Sequence, residues 1–174
     1  MMQEFAQQVE ETARAVVDEI HTAMPGTVIL FDPESCTATV KPNGKYMTAD
    51  GKRLDYPQIT DVPVVFPFCQ TAEVGIAFPV QKDDSCMIII SEMELDEWRT
   101  GAESEGSLRF DLTSAICVPG LLKCGMDIIS KACQNNAVVV VAGDTKMTIS
   151  GDGVAISGDL KVNGNIYSTR TITP

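Results

Sequence analysis

Basic residues, aromatics, histidine and long apolar runs are all scarce in this chain of 174 residues, and each shortage removes a class of function. Thirteen Lys and Arg stand against 24 Asp and Glu, a formal charge of −11. Nucleic acid is bound by neutralising its phosphates with cations, so no nucleic-acid partner is expected. One Trp, three Tyr and six Phe leave few platforms for stacking bases. The single histidine, His21, is remote from the six cysteines, and Cys36, Cys69, Cys86, Cys117, Cys124 and Cys133 form no C-x-x-C pair, so no zinc site is expected. The N-terminus has neither a basic region nor a continuous apolar one, and no apolar run approaches the roughly 20 residues of a membrane-spanning helix. The chain is therefore expected to be made in the cytosol, with its thiols reduced and mostly buried.

What is present is ordered along the chain. Phe5, Val9, Ala13, Val16, Val17 and Ile20 recur at helical spacing, which predicts an amphipathic helix over residues 3–22, stopped by Met24-Pro25-Gly26. A lone helix of that length is marginal, so its stripe must dock on the next domain or on copies of itself. From Thr27 the period becomes that of strands. "TVILFD" and "CTATVKP" flank the turn "DPES", and "DVPVVFPF", "VGIAFPV" and "CMIIIS" follow a polar loop, each short and bounded by Pro, Gly or Asp. Five short strands with no crossover helix predict a small antiparallel barrel, with Pro63, Pro67 and Pro79 at edges, ends or bulges. "ELDEW" reads as a helical turn, Trp98 as a core plug, "TSAICVPGL" as the closing segment, and the acidic stretch around residues 82–111 as solvated surface.

A third region begins near Gly125. "NAVVVVAGDTKMTISGDG" reads as two strands joined by Gly143-Asp144, and then one phrase recurs: "ISGD" ending at Gly151-Asp152, "ISGD" ending at Gly158-Asp159, "VNGN" ending at Gly164-Asn165. Each unit reads as a strand of about three residues closed by a turn in which Gly, beside Asp or Asn, takes the positive φ that other residues avoid. Such a period marks stacked β architecture. A wholly buried apolar side chain contributes about 2 kcal/mol, and fixing one residue's backbone costs about 1–2 kcal/mol. The apolar residues here are outnumbered, so the stretch cannot fold alone. Three copies around one axis would place Ile149, Val154, Ile156, Leu160, Val162, Ile166 and Ile172 inside a shared prism, with Asp152, Asp159, Lys161, Asn163 and Asn165 near its rim. Six to eight strands stacked about 4.8 Å apart would make a shaft of very roughly 30 to 40 Å.

The segments "MPGTVILFDPESCTATVKP", "DYPQITDVPVVFPF", "GIAFPVQKDDSCMIIISEMELDEW" and "DLTSAICVPGL", followed by "SGDLKVNGNI", resemble the central baseplate spike, or membrane-puncturing protein, of contractile phage tails and related bacteriocins. The resemblance spans residues 25–166. Behind the N-terminal helix, bounded at 1–24, it implies an all-β chain: an OB-fold-like barrel over 25–122 acting as a collar, and a C-terminal trimeric intertwined β-helix, the needle, over 123–174. It further implies a homotrimer seated on the baseplate hub protein under the tail tube, carried in a virion or bacteriocin particle, and driven through the host outer membrane when the sheath contracts. Many relatives bind iron at the tip through a His-x-His pair. This chain ends in "YSTRTITP", so no tip iron and no other cofactor is expected, and the tip is either apolar and blunt or closed by a separate tip-capping protein.

Three other classes fit less of the sequence. A hexapeptide-type acyltransferase is also a trimer of short β rungs, but needs more turns and an intersubunit histidine. Calcium at Asp152, Asp159 and Asn165 lacks the glycine-rich nonapeptide, and Asp and Asn are common turn formers. An OB-fold module for sugar or nucleic acid lacks basic grooves. Glu92, Glu94, Asp96 and Glu97 supply paired carboxylates of the kind glycosidases use, but sit in an acidic loop with no room for a lysozyme-like domain. The chain is read as non-enzymatic.

Overall fold

The structure is a computed structural model that describes residues 2–18, 20–48, 50–101 and 109–168. It divides into two units, Met1–Lys123 and Cys124–Pro174. The first opens with helix α1, Met2–Asp18. α1 ends short of the expected residue 22, and His21 lies beyond it. Met24-Pro25-Gly26 is the start of a strand rather than a helix stop, since β1 runs Ala23–Asp32. Pro25 is tolerated there because β2 begins its pairing only at Gly26, and the Pro25 carbonyl still accepts a hydrogen bond from Asn43 at 2.8 Å.

β1 and β2 (Thr37–Pro42) form the expected antiparallel hairpin. Its turn is organised by Asp32, whose carboxylate accepts the Ser35 hydroxyl at 2.8 Å and the Glu34 amide at 3.0 Å. The polar loop that follows holds a small hairpin of its own, β3 (Lys45–Met47) with β4 (Arg53–Asp55), exposed at every position. Next come β5 (Ile59–Pro63), the two-residue strands β6 (Phe68–Cys69) and β7 (Val74–Gly75), β8 (Ser85–Ile90), helix α2 (Leu95–Thr100), a 3-10 turn at Leu112–Ser114, and β9 (Ala115–Pro119).

The strands assemble as one five-stranded antiparallel sheet in the order β5-β2-β1-β8-β9. Five strands are present, but "VGIAFPV" contributes only the short β7, and "TSAICVPGL" supplies the fifth strand in its place. Val64, just past β5, bridges to Cys117 of β9, and the Val65 amide donates to the Cys117 carbonyl at 2.9 Å. The sheet thereby curls into a half-barrel whose first and last strands touch. Alternation fills its concave side: Val28, Val40, Val62, Cys86, Ile88 and Cys117 are at most 2% exposed. Cys86 and Cys117 are the only cysteines inside this core; Cys36, Cys69, Cys124 and Cys133 are exposed, contrary to the expectation of mostly buried thiols, because each sits in or beside a turn, short strand or helix with no layer over it. The hydrogen bond that the Cys117 thiol donates to Cys86, together with burial, raises the pKa of Cys117. Trp98 is not a core plug: it stands on α2, three-quarters exposed.

Asp111 caps the turn that leads into β9, accepting the Thr113 hydroxyl at 2.6 Å and the Thr113 amide at 2.8 Å. Those two bonds, aided by the charge of His21, hold its carboxyl below the usual range. A lowered folded-state pKa stabilises the fold above the unfolded value, about 3.9, and that contribution is lost as pH falls through the folded value. Asp111→Ala is therefore expected to cost about 1 kcal/mol at pH 7, seen as a lower urea midpoint, and the gap from wild type is expected to narrow steadily as the pH is taken below about 4.

The second unit begins with helix α3, Asp127–Gln134, which no repeat pattern announced. Asp127 and Lys131 pair one turn apart at 2.8 Å, on the exposed side of α3. β10 (Val138–Ala142), β11 (Thr145–Ser150) and β12 (Gly153–Ser157) then form an antiparallel three-stranded sheet in chain order. The first hairpin turns at Gly143-Asp144, the expected joint of two strands, and the second at Gly151-Asp152, a turn that the phrase marks. Positive φ falls at Gly143, Gly153 and Gly158 rather than at Gly151 or Gly164. Past Ser157 the described residues contain no further strand, so "VNGN" is not a rung here and a β-helix is not formed within the single chain.

Candidate functional site

The second unit has no interior. Among the described residues after Cys117, none is buried. Its apolar side chains are nevertheless sorted. Val138 pairs with Ile149 and Ile149 with Val154; Val140 pairs with Met147 and Met147 with Ile156. Residues in register on neighbouring strands share a face, and so do residues two apart on one strand. These six therefore form one continuous apolar face, with exposures from 37% at Met147 to 62% at Val138 and Val154. The other face carries Lys146, Thr148 and Ser150 on the middle strand, opposite Val141, Val139 and Ala155 among others.

Single exposed apolar residues are ordinary, whereas a contiguous apolar face of six side chains marks a surface made to be covered. Of the residues assigned to a shared core by the sequence, Ile149, Val154 and Ile156 are brought together on this face. Leu160, Val162 and Ile166 are exposed beyond β12 and outside any strand, and Ile172 lies outside the described residues. Val138, Val140 and Met147 were missed. For Met147 the signal was available in the strict alternation of "TKMTIS"; "AVVVVAG" shows none, because β10 is apolar on both sides.

The turn residues Gly151, Asp152, Gly158, Asp159, Gly164 and Asn165 are all exposed. Gly158 lies close to β11, where an added Cβ would stand 3.1 Å from the Thr145 hydroxyl. Among the described residues no three His, Cys, Asp or Glu side chains converge as metal ligands, and no helix is long and apolar enough to cross a membrane.

The half-barrel offers different chemistry. A cleft of about 930 Å³ is lined by His21, Tyr46, Tyr56, Arg109 and Asp111, among others. The rings of Tyr46 and Tyr56 lie 5.3 Å apart, and His21 meets Tyr56 edge-on at 5.6 Å. Of the carboxylates singled out in the sequence, Glu92 accepts from Arg109 at 3.1 Å, Glu94 precedes α2, and Asp96 and Glu97 lie in its first turn. A further exposed apolar group, Phe68, Val74 and Ile76, rides on and beside the β6–β7 hairpin.

A comparison with curated proteins finds no match. Residues 24–120, the half-barrel from the start of β1 to the end of β9, match the family described as the phage protein Gp138 N-terminal domain. Since that match takes in more than half of the chain, the protein belongs to the Gp138 N-terminal domain family and is a phage structural component.

Proposed function

We propose that this protein is the central spike of a contractile tail, a homotrimer that punctures the bacterial outer membrane. The observation that carries the reading is the uncovered apolar face of β10–β12, in a chain whose other unit belongs to a phage structural family. Three such faces turned toward one axis bury Val138, Val140, Met147, Ile149, Val154 and Ile156 and leave Lys146, Thr148 and Ser150 outward. Burying an aliphatic side chain of this size contributes about 2 kcal/mol, and each chain supplies six. Leu160, Val162 and Ile166 then acquire partners from sister chains and continue the shaft as an intertwined β-helix.

The curled sheet serves in this reading as an OB-type collar that rests on the hub protein under the tail tube. Puncture needs stiffness rather than catalysis. Strands shared among three chains cannot bend or unravel singly, so a push at the collar reaches the tip with little yielding. The charge of −11 keeps an edge-rich β object soluble before assembly and disfavours nucleic acid as a partner.

Location tests this role directly. Gold-labelled antibody raised against the chain is expected to mark purified tailed particles only at the end of the tail distal to the head. Label along the sheath, on the head, or absent from intact particles would overturn the assignment.

A further inference from the structure

α1 is the other apolar surface that the fold leaves open. At 100° per residue, Phe5, Ala6, Val9, Thr12, Ala13, Val16 and Val17 occupy an arc of about 140°. Phe5, Val9, Val16 and Val17 are all more than half exposed, so the stripe is not covered by its own half-barrel. The charges Glu4, Glu11 and Arg14 fall on the opposite arc, and Glu10 stands at one edge of the stripe, about 20° beyond Val17. Much of that arc is satisfied within the helix: Arg14 pairs with Glu10 at 2.7 Å, and the Gln7 amide donates to Glu11 at 2.9 Å.

We infer that α1 packs against the α1 helices of two sister chains as a short parallel three-helix bundle; the inference rests on the trimer proposed above. Charge placement selects this occupant. In a parallel bundle on a three-fold axis each side chain meets its own copies at the same height, so a charge in the seam would be opposed by two identical ones. The seam has none; one flank, Gln8 and Ala15, is uncharged as well, and on the other flank Glu10 is paired with Arg14 at 2.7 Å. A charged foreign partner would be met by free charges at the rim of the stripe, whereas one border of this helix is neutral and Glu10 on the other is already paired with Arg14. Width points the same way. A two-stranded seam needs a narrow stripe, while a helix contacting two neighbours needs a broader one. The one polar residue on the stripe, Thr12, donates its hydroxyl to the Gln8 carbonyl at 2.8 Å and can be buried without an orphaned donor.

Disulfide trapping tests the bundle in the full-length chain. With exposed Cys36, Cys69, Cys124 and Cys133 changed to serine, Val9→Cys places a thiol on the seam and Gln7→Cys places one on the opposite arc. Under mild oxidation Val9→Cys is expected to form covalent dimers at least tenfold faster than Gln7→Cys, levelling off near about two thirds of the chains, since a trimer can link only one pair and leaves the third thiol free. Equal rates, or no crosslink at Val9 in a chain that sediments as a trimer, would overturn the bundle while leaving the trimer standing. A serine-substituted parent that sediments as a monomer would remove both.

Discussion

Ile149→Asp is expected to yield a monomer with an intact half-barrel. Ile149 lies at the middle of the apolar face, paired with Val138 on one side and Val154 on the other. Replacing it removes about 2 kcal/mol of burial from each chain of a trimer. It also brings three carboxylates toward one axis, where charges some 7 Å apart at an effective dielectric near 20 repel by about 2 kcal/mol per pair. Together these losses are on the order of 10 kcal/mol per trimer, a large share of what holds such an assembly. Because the buried core of the first unit contains no residue of β10–β12, its thermal transition should be unchanged. Thr148→Asp provides the control: one position away on the same strand it faces the polar side with Val139 and Ala155, and the chain should still sediment as a trimer. If both variants were monomeric, or both trimeric, the assignment of the faces would be wrong.

The second large effect lies inside the half-barrel. Ile88 is fully buried, and Ile88→Ala should cost about 2–5 kcal/mol, enough to move the thermal midpoint of a domain this size by some 10 °C or more. Its neighbour Gly26 has no room for a side chain. An added Cβ would stand 2.4 Å from Ile88 Cδ1 and 2.8 Å from Ile88 Cγ1, so Gly26→Ala should cost about 1–3 kcal/mol through overpacking. The two costs share their cause, because Ile88→Ala deletes the atoms against which the new methyl collides. The double variant is therefore expected to be more stable than the sum of the singles by about 1–3 kcal/mol in urea unfolding. Strict additivity would mean that Gly26 is required for its backbone conformation and not for the close approach.

Parts of the fold were legible because local chemistry and tertiary role agree. The β1–β2 hairpin combines alternation with an Asp32 turn that closes on itself, and β8 carries Cys86, Ile88 and Ile90 inward at period two. Other parts were hidden where one signal stood for two structures. Met24-Pro25-Gly26 looks like a helix stop, yet a proline opposite Met87 of β8 with no partner in β2 and a glycine pressed against Ile88 suit the start of β1 equally well. The β3–β4 hairpin is exposed on both faces, so no alternation betrays it. "VGIAFPV" is apolar enough for a strand, but only Val74 and Gly75 pair, and Ile76 and Phe78 remain exposed.

The candidate site was half legible for a physical reason. The glycine phrase marked Gly151-Asp152 as a turn and Ile149, Val154 and Ile156 as companions, but Val138, Val140 and Met147 precede the phrase: Met147 shows in the alternation of "TKMTIS", whereas Val138 and Val140 are placed only by pairing register. Beyond Ser157 the phrase continues while strand pairing stops among the described residues. In the proposed account this is where pairing passes to other chains, so the periodicity describes an assembly and not a monomer.

Sedimentation equilibrium of the unmodified full-length chain in reducing buffer tests that account most directly. A single species at three times the chain mass of 18.7 kDa, held down to nanomolar concentration, is the expected result. A stable species of 18.7 kDa whose β10–β12 amides resist hydrogen exchange would show that the apolar face needs no sister chain, and would contradict the account at its base.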